Sequence, residues 1–216
     1  MRCLVTGGAG FIGSHIVDKL VELGCDVAVI DNLSTGRIEN VNPKATLIKE
    51  DIVNFEHICN YFRGIDWVFH TAALARIVPS FKDPVSHLKA NVIGTINCLL
   101  ASRKQNVKKF IYSASSSCYG LDVPLPTKET DKIHPISPYG IQKYESELYC
   151  RLFFERYALP TVSLRYFNVY GPRSFNENNP FSAYTSVVGI FLNQKKKGKR
   201  LTITGDGTQR RVKPIH

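Results

Sequence analysis

Short runs of hydrophobic residues alternate along the chain with longer segments in which hydrophobic side chains recur every three to four positions. The short runs are typical of buried strands, and the longer segments are typical of amphipathic helices. Strands are predicted at residues 2–7, 26–31, 45–51, 66–73, 108–115 and 161–167. Helices are predicted at residues 11–23, 55–63, 85–105, 139–157 and 183–194. Gly24 stands where the first helix should end.

This order of elements predicts an α/β fold, a doubly wound parallel sheet of the Rossmann type with helices on both faces. The alternation stops after Gly171, where Pro172, Pro180 and several asparagines follow. We therefore expect a dinucleotide-binding domain over residues 1–170 and the beginning of a second, smaller region over residues 171–216.

Composition narrows the class of protein. A chain of 216 residues, 44% of them hydrophobic, can bury a substantial core. The six cysteines lack the spacing of a zinc site and lie mostly in apolar runs, which predicts reduced thiols and no metal. The N-terminal apolar run is too short for a signal peptide, and no run approaches the roughly 18 residues of a membrane span. These features favour a cytoplasmic protein without a membrane partner.

The formal net charge of +10 raises the question of nucleic-acid binding. The basic residues cluster mainly in KKKGKR at 195–200, with a smaller group at Lys108 and Lys109. Such runs are usually solvated helix ends, and no DNA- or RNA-binding signature accompanies them. We predict no nucleic-acid partner, and another partner for residues 195–200 stays open.

The segment TGGAGFIGSH connects the first strand to the first helix, and its glycines fit both G-x-G-x-x-G and G-x-x-G-x-x-G: Gly7, Gly8, Gly10 and Gly13. Glycines allow a sharp turn and bring free helix amides close to a pyrophosphate. Asp31 ends the second strand, where its carboxylate would bind ribose hydroxyls and repel a 2′-phosphate, which favours NAD over NADP; the alternative is a turn aspartate. Asp51 and Ile52 follow the third strand, where they could hold the adenine or simply form a turn.

The segment SPYGIQKYE predicts a helix start, with Ser137 as the capping residue and Pro138 at the first helical position. Tyr139 and Lys143 then lie one turn apart on the same helix face. An isolated pair of this kind is most often an ordinary surface pair, so its meaning depends on the rest of the chain.

Together, the glycine loop, Asp31, a serine cluster and Tyr-x-x-x-Lys resemble the extended short-chain dehydrogenase/reductases. More narrowly, the chain is similar to the NAD-dependent sugar-nucleotide epimerase/dehydratase family, and within it to the UDP-glucose and UDP-N-acetylglucosamine 4-epimerases. The resemblance is carried by these ordered blocks: TGGAGFIGSH, DNLSTG, HTAALA, ANVIGT, SASSSCYG, SPYGIQK, RYFNVYGPR and GDGTQRR.

The resemblance implies a catalytic triad of Ser115, Tyr139 and Lys143. A free tyrosine has a pKa of ~10, and lowering it to ~7 requires about 4 kcal/mol, which Lys143 and the positive nicotinamide would supply. Lys143 would also bind the nicotinamide ribose, and Tyr139 is expected to contact both the cofactor and the substrate. Ser115 would hydrogen-bond the reacting sugar hydroxyl, and Ser116 is the second choice. Related dehydratases carry an acid at the position of Ser117, so its hydroxyl favours epimerisation.

Further binding residues are implied by the same resemblance. Those expected along the dinucleotide are Phe11, Ile12, Asn32, Ser34, Thr35, Gly36, Thr71, Ala72, Ala73, Ala75, Asn91 and Phe167. Asn168 and Arg211 would hold the substrate diphosphate. A solvent-facing Asn91 and a core Phe167 are the structural alternatives. His70 is expected to pack under the cofactor loop and not to act as an acid or base.

In this family, hydride passes from carbon 4 of the sugar to NAD while tyrosinate takes the hydroxyl proton, and the 4-keto sugar is reduced again on its other face. We therefore predict an NAD-dependent UDP-hexose 4-epimerase. The alternatives are a 4-ketoreductase, decarboxylase or 2-epimerase on the same triad, or a non-catalytic NAD-binding module. The long helices 85–105 and 139–157 imply a homodimer, or they simply cover one face of the sheet.

The sequence departs from the family pattern at two places. GDGTQRR is followed by VKPIH, where the family has an aspartate and an aromatic residue and continues further. Residues 171–216 are therefore expected to form an incomplete substrate-binding region, which affects activity more than NAD binding. Ala75 stands where some 4-epimerases carry lysine, and Arg76 could supply that charge. The nucleotide sugar is left undetermined.

Overall fold

The computed structural model describes residues 1–121, 123–174, 187–203 and 205–207. At its centre lies a parallel sheet of six strands in the order β3-β2-β1-β4-β5-β6. The strands are β1 (Arg2–Thr6), β2 (Asp26–Ile30), β3 (Thr46–Ile48), β4 (Trp67–His70), β5 (Lys109–Ser115) and β6 (Thr161–Tyr166). This is the strand order of a doubly wound dinucleotide-binding fold, so the predicted fold class is confirmed.

Seven α-helices surround the sheet within the described residues. They are α1 (Phe11–Glu22), α2 (Phe55–Ile58), α3 (Ile77–Lys82), α4 (Pro84–Leu88), α5 (Gly94–Lys104), α6 (Pro138–Tyr157) and α7 (Val187–Lys196). A π-helical turn, Lys89–Ile93, joins α4 to α5, and a 3₁₀ turn, Cys59–Phe62, continues α2.

The predicted helices differ from the observed helices at segments 55–63, 85–105 and 77–82. The segment 55–63 is one α-helical turn followed by a 3₁₀ turn, and the segment 85–105 is interrupted by the π-helical turn. Helix α3 was not predicted, because six residues containing Pro79 are too few to show a helical period. The predicted last helix begins at 183, but 183–186 lie outside the described residues, and α7 is described from Val187 onward.

The predicted end of α1 and the predicted start of α6 are both formed by local hydrogen bonds. The amide of Gly24, which has φ of +75°, donates to Val21, and the amide of Cys25 donates to Leu20. These are the two bonds of a Schellman motif, which ends α1 at the predicted glycine. At the start of α6, the Ser137 hydroxyl accepts a hydrogen bond from the Gly140 amide at 3.1 Å, so the predicted cap is confirmed.

Alternate strand residues face opposite sides of the sheet and build two cores. On β1, Leu4 belongs to a large cluster with the buried faces of α5 and α6, whereas Cys3 and Val5 pack with Val17 and Leu20 of α1. All six cysteines are free thiols, and all except Cys25 are buried. The two cores hold α1 and α6 on opposite faces, with their N-termini at the carboxyl edge of the sheet.

The described part of the chain shows neither a membrane-spanning helix nor a cluster of metal ligands. No helix there is long and apolar enough to cross a membrane. No group of three or more histidine, cysteine, aspartate or glutamate side chains there is placed to hold a metal ion.

Candidate active site

Two adjoining clefts open at the carboxyl ends of the strands, where the strand order reverses between β1 and β4. Ligands of doubly wound sheets bind at this reversal point. The first cleft, of about 370 Å³, is lined by these predicted residues: Gly7, Gly10, Asp31, Asn32, Ser34, Thr35, Asp51, Ile52, Thr71, Ala72 and Ala73. The second, of about 880 Å³, is lined by Phe11, Ile12, Thr71, Ala73, Ala75, Ser115, Tyr139, Lys143, Phe167 and Asn168. Because Thr71 and Ala73 line both, the two clefts adjoin each other.

The glycine loop is packed too tightly for side chains at two of its positions. Gly7 has φ of +72°, and a Cβ added there would lie 2.6 Å from the amide nitrogen of Ala72. A Cβ added at Gly13 would overlap the carbonyl oxygen of Gly7 and lie 2.7 Å from the Thr71 hydroxyl. Gly10 precedes α1 and offers no side-chain cap to its first-turn amides. The loop therefore presents helix amides at the cleft, as an anion site requires.

Asp31 organises the loops around the first cleft. One carboxylate oxygen accepts a hydrogen bond from the Ala9 amide at 3.0 Å, and the other accepts one from the Leu33 amide at 2.8 Å. Burial raises the pKa of this carboxyl above its usual value, and the two amide bonds oppose that shift. Gly36 lies against the same carboxylate, where an added Cβ would be 3.0 Å from both oxygens. Asp31 thus holds the turn and also lines the cleft.

Asp51 connects two loops on the far side of the first cleft. Its carboxylate accepts hydrogen bonds from the Asn32 side-chain amide at 2.9 Å and from the Val53 backbone amide at 2.9 Å. The turn interpretation of Asp51 therefore agrees with the structure, and adenine binding by Asp51 and Ile52 stays a prediction.

The predicted triad comes together in the second cleft. Ser115 ends β5, whereas Tyr139 and Lys143 lie in the first turns of α6, and all three line this cleft. The Ser115 hydroxyl accepts hydrogen bonds from the Ser117 amide at 3.2 Å and the Ser117 hydroxyl at 2.9 Å. Ser117 therefore orients Ser115, while Ser116 is not among the residues that line the cleft.

Lys143 lies in an apolar and aromatic environment. Its side chain is almost fully buried, and the ammonium lies 4.4 Å from the centre of the Tyr112 ring. Burial lowers the pKa of Lys143 to about 7. The Tyr112 ring favours the charged form through a cation–π contact, and its hydroxyl donates to the Lys143 carbonyl at 3.3 Å. An anion beside this ammonium would stabilise its charge. The site therefore suits a deprotonated phenol at Tyr139, one helical turn before Lys143.

His70 packs beneath the loops, as expected. Its Nδ1 lies 2.6 Å from the Thr6 hydroxyl, and its Nε2 lies 2.9 Å from the Thr95 hydroxyl. The ring is fully buried, stacks on Tyr112, and is not among the residues that line either cleft. Burial and the nearby Lys143 lower the pKa of His70 to about 3, so the ring is neutral at pH 7.

The burial of His70 predicts a loss of stability in acid. The unfolded chain protonates this ring below its ordinary pKa of ~6.5, but the folded chain does so only near pH 3, so stability falls as the pH falls. We expect His70 to account for about 2 kcal/mol of lost unfolding free energy between pH 7 and pH 5. Urea unfolding of His70→Gln at both pH values should show that much less difference than the parent. Equal pH differences in the two chains would contradict this.

Asn91 is a buried residue of the π-helical turn that holds neighbouring segments through hydrogen bonds. It is 1% exposed, which rules out the solvent-facing alternative. Its side chain accepts from the Leu74 amide at 2.8 Å and donates to the Leu74 carbonyl at 3.0 Å and to Gln142 at 3.0 Å. The carbonyl of Asn91 accepts hydrogen bonds from the hydroxyls of Thr95 and Ser146. It therefore fixes the loop after β4 against α6; direct contact with a cofactor stays a prediction.

Phe167 follows β6 and is half-buried, so it does not belong to the core. Its ring stacks on Tyr119 with centroids 6.4 Å apart. The Tyr119 hydroxyl accepts a hydrogen bond at 2.6 Å from Arg165, which also donates two hydrogen bonds to Glu147 of α6. This cluster ties the wall of the second cleft to α6. Arg211, the other predicted diphosphate ligand, lies outside the described residues.

Several site residues were missed from the sequence. Ile77, Val78 and Lys82 of α3 line the second cleft, as do Val187 and Val188 of α7. The α3 residues lie in a segment too short to show a helical period. Val187 and Val188 belong to a predicted helix, but its pattern does not indicate that they face a cleft. The supporting residues Tyr112 and Ser80 gave no signal at all.

Comparisons with known proteins agree with this geometry. Residues 3–212 match the profile of the NAD dependent epimerase/dehydratase family. The UDP-glucose 4-epimerase of Lacticaseibacillus casei is 39% identical over 213 residues, which are 95% of this chain and 63% of that protein. The UDP-glucuronic acid decarboxylase 1 of Arabidopsis thaliana is 35% identical over 221 residues. The matched region is 98% of this chain and 48% of that protein.

A solved structure shows the same likeness. The UDP-glucose 4-epimerase of Thermotoga maritima, crystallised with UDP-glucose, superposes with a TM-score of 0.89 at 44% identity and covers 96% of this chain. This chain covers 67% of that structure, so it spans about two thirds of its length and less of the two relatives. The fold, the glycine loop, the clustered triad and the profile match together place this chain in the NAD dependent epimerase/dehydratase family.

Proposed function

We propose that the protein is an NAD-dependent 4-epimerase of UDP-hexoses. The observation that carries the proposal is that Ser115, Tyr139 and Lys143 line one cleft and that this cleft adjoins the glycine-loop cleft. A dinucleotide lying along both clefts would extend from the glycine loop to the triad. Residues 1–170 would then bind NAD, and residues 171–216 would contribute to the substrate side.

The residues of the first cleft fit NAD. The contacts at Gly7 and Gly13 leave a backbone-lined cradle at the start of α1, where a pyrophosphate would meet amides and the positive end of the helix dipole. The buried Asp31 carboxylate keeps lone pairs for ribose hydroxyls and would repel a 2′-phosphate. Asn32, Ser34, Thr35, Asp51 and Ile52 would complete the adenosine side.

In the second cleft, each triad residue has a distinct task. When bound, NAD would accept hydride from carbon 4 of the sugar and return it to the opposite face. Tyr139 would take the proton of the 4-hydroxyl and later return one, and Lys143 would stabilise the phenolate with its buried ammonium. Ser115, oriented by Ser117, would hydrogen-bond the same sugar oxygen. The proton and the hydride are both restored, so no NADH accumulates.

The lining of the second cleft favours epimerisation within this family. Dehydration or assisted decarboxylation needs a further acid or base, yet the described residues that line this cleft include no aspartate or glutamate. Its charged side chains are Arg76, Lys82 and Lys143, which suit an anionic nucleotide sugar. Asn168, which lines the cleft, and Arg211 are the proposed diphosphate ligands.

The test of this function begins with the nucleotide bound to the purified chain. Denaturation followed by chromatography should release NAD in stoichiometric amount, and NMR should then detect interconversion of a UDP-hexose without NADH formation. Stoichiometric NADH or CO₂ would point to another reaction on the same triad. Bound NAD without turnover of any UDP-hexose would instead identify a non-catalytic module.

We also propose a homodimer through α4, α5 and α6. On α6, the side facing away from the core carries an exposed apolar stripe of Ile141, Leu148 and Leu152 at helical spacing. Val85 and Leu100 on the adjoining helices are exposed too. Such apolar side chains in contiguous positions are typical of a protein interface.

The dimer proposal predicts a change of mass. The double variant Leu148→Glu, Leu152→Glu should elute with about half the parent mass in size-exclusion chromatography with light scattering, because paired charges cannot be buried across a symmetric interface. Leu23→Glu, which replaces a more exposed leucine at the end of α1, should leave the mass unchanged. A parent chain that is already monomeric would refute the dimer.

A further inference from the structure

The backbone amides at the start of α6 are satisfied in an unusual way. The first-turn amides of a helix have no intrahelical partner. Pro138 has no amide proton, the Gly140 amide donates to the Ser137 hydroxyl, and the Ile141 amide donates to the Ser137 carbonyl. The remaining amide, that of Tyr139, donates at 3.1 Å to the hydroxyl of Ser80. The proposed base is thus held by a side chain far away in sequence.

Ser80 is completely buried in α3. Its hydroxyl also donates to the Ile77 carbonyl at 2.6 Å, so its proton is committed and its lone pairs face the Tyr139 amide. Its neighbours Ile77, Val78 and Lys82 line the second cleft. Ser80 therefore links the cleft wall directly to the turn that carries Tyr139.

We propose that Ser80 is a positioning residue for Tyr139, whose hydroxyl fixes the first turn of α6 against α3 and so keeps the phenol over the substrate and near Lys143. This inference rests on the proposed function, since it assigns the base to Tyr139. Misplacement of a reacting group by about 1 Å can cost up to ~10²-fold in rate without weakening substrate binding. The effect should therefore appear in kcat and not in KM.

A purely structural cap would have different consequences. It would lower thermal stability but leave the phenol unchanged in the remaining folded protein. A positioning role must change how Tyr139 ionises, because the phenolate depends on the cations that line the cleft, which are Lys143, Lys82 and Arg76 among the described residues. The pH at which the Tyr139 ring titrates is thus the discriminating readout.

The experiment compares Ser80→Ala with Ser80→Thr, which keeps the hydroxyl, and with Ser80→Cys, which keeps the size but is a weaker acceptor. The control is Ser102→Ala, because Ser102 is equally buried and its hydroxyl has no hydrogen-bond partner in the described structure. The ring of Tyr139 is followed by NMR over pH, with its signal identified by loss in Tyr139→Phe. Rates are measured on the UDP-hexose that the parent converts.

Ser80→Ala should lower kcat by roughly tenfold with KM nearly unchanged. It should also shift the Tyr139 titration to higher pH by roughly half a unit or more. Ser80→Thr should restore both, Ser80→Cys should be intermediate, and Ser102→Ala should change neither. An unshifted titration in folded Ser80→Ala or Ser80→Cys would overturn the proposal. A parent chain without epimerase activity would refute the proposed function, while the titration would still decide the role of Ser80.

Discussion

Replacement of Tyr139 by phenylalanine is expected to lower kcat for UDP-hexose interconversion by about 10²–10⁴-fold, the usual contribution of a positioned acid–base group. The variant removes one oxygen atom and leaves the ring, the helix cap at Ser137 and the backbone bond to Ser80 in place. Because most of the dinucleotide would lie in the glycine-loop cleft, which the phenol does not line, bound NAD should be retained. The measurement pairs NMR rates with chromatography of the released nucleotide.

Tyr144→Phe is the matched control, since Tyr144 lies on the same helix but does not line either cleft. It should keep the parent rate and the parent NAD content. Comparable activity in Tyr139→Phe and the parent would remove Tyr139 from the role of base. Loss of rate together with loss of NAD would instead show that the substitution damages the cofactor site.

The fold could be predicted because the central strands of the sheet are largely buried and are separated by amphipathic helices. β1 and its glycine loop are local features, since the turn, the helix start and the following strand end all lie within about 30 residues. The Tyr139–Lys143 pair is also local, because one helical turn fixes which face the two side chains share. Such features are visible in a single sequence.

Other parts of the site depend on contacts between distant segments. Helix α3 is too short to show a period, and it meets α6 through the bond from the Tyr139 amide to Ser80. Tyr112 resembles any core residue of a strand until α6 places Lys143 over its ring. Asn91 is buried and clamps the backbone of Leu74, a contact that its position in the sequence does not indicate. No local pattern in the sequence encodes these pairings.

The supporting contacts all connect other segments to helix α6. Asn91 and Gln142 tie the loop after β4 to α6, Ser80 ties α3 to α6, and Arg165 ties β6 to Glu147 of α6. Three parts of the wall of the second cleft are thus attached to the helix that bears the proposed base. Preorganisation of this kind keeps reacting groups in place before the substrate arrives.

Substitution of Gly13 by alanine should have the second large effect, a loss of NAD. The added Cβ would overlap the Gly7 carbonyl oxygen and lie 2.7 Å from the Thr71 hydroxyl. The Gly7 oxygen is a backbone atom and the Thr71 hydroxyl is hydrogen-bonded, so displacing either one costs free energy. Helix α1 must therefore shift away from the loop. Such overpacking costs about 1–3 kcal/mol. If NAD binding loses that free energy, it should weaken by roughly 10- to 100-fold, and less NAD should copurify with the variant.

Gly24→Ala separates this local effect from a general loss of stability. Gly24 has φ of +75° at the end of α1, with no atom within 4 Å of an added Cβ, so alanine there strains the backbone without a clash. We expect about 1 kcal/mol of lost unfolding free energy in urea and an unchanged NAD content. If Gly13→Ala retains NAD as well as Gly24→Ala does, the glycine loop is not the pyrophosphate site. If only Gly13→Ala loses it, the defect lies in the contact between α1, Gly7 and Thr71, which is where the cofactor is proposed to bind.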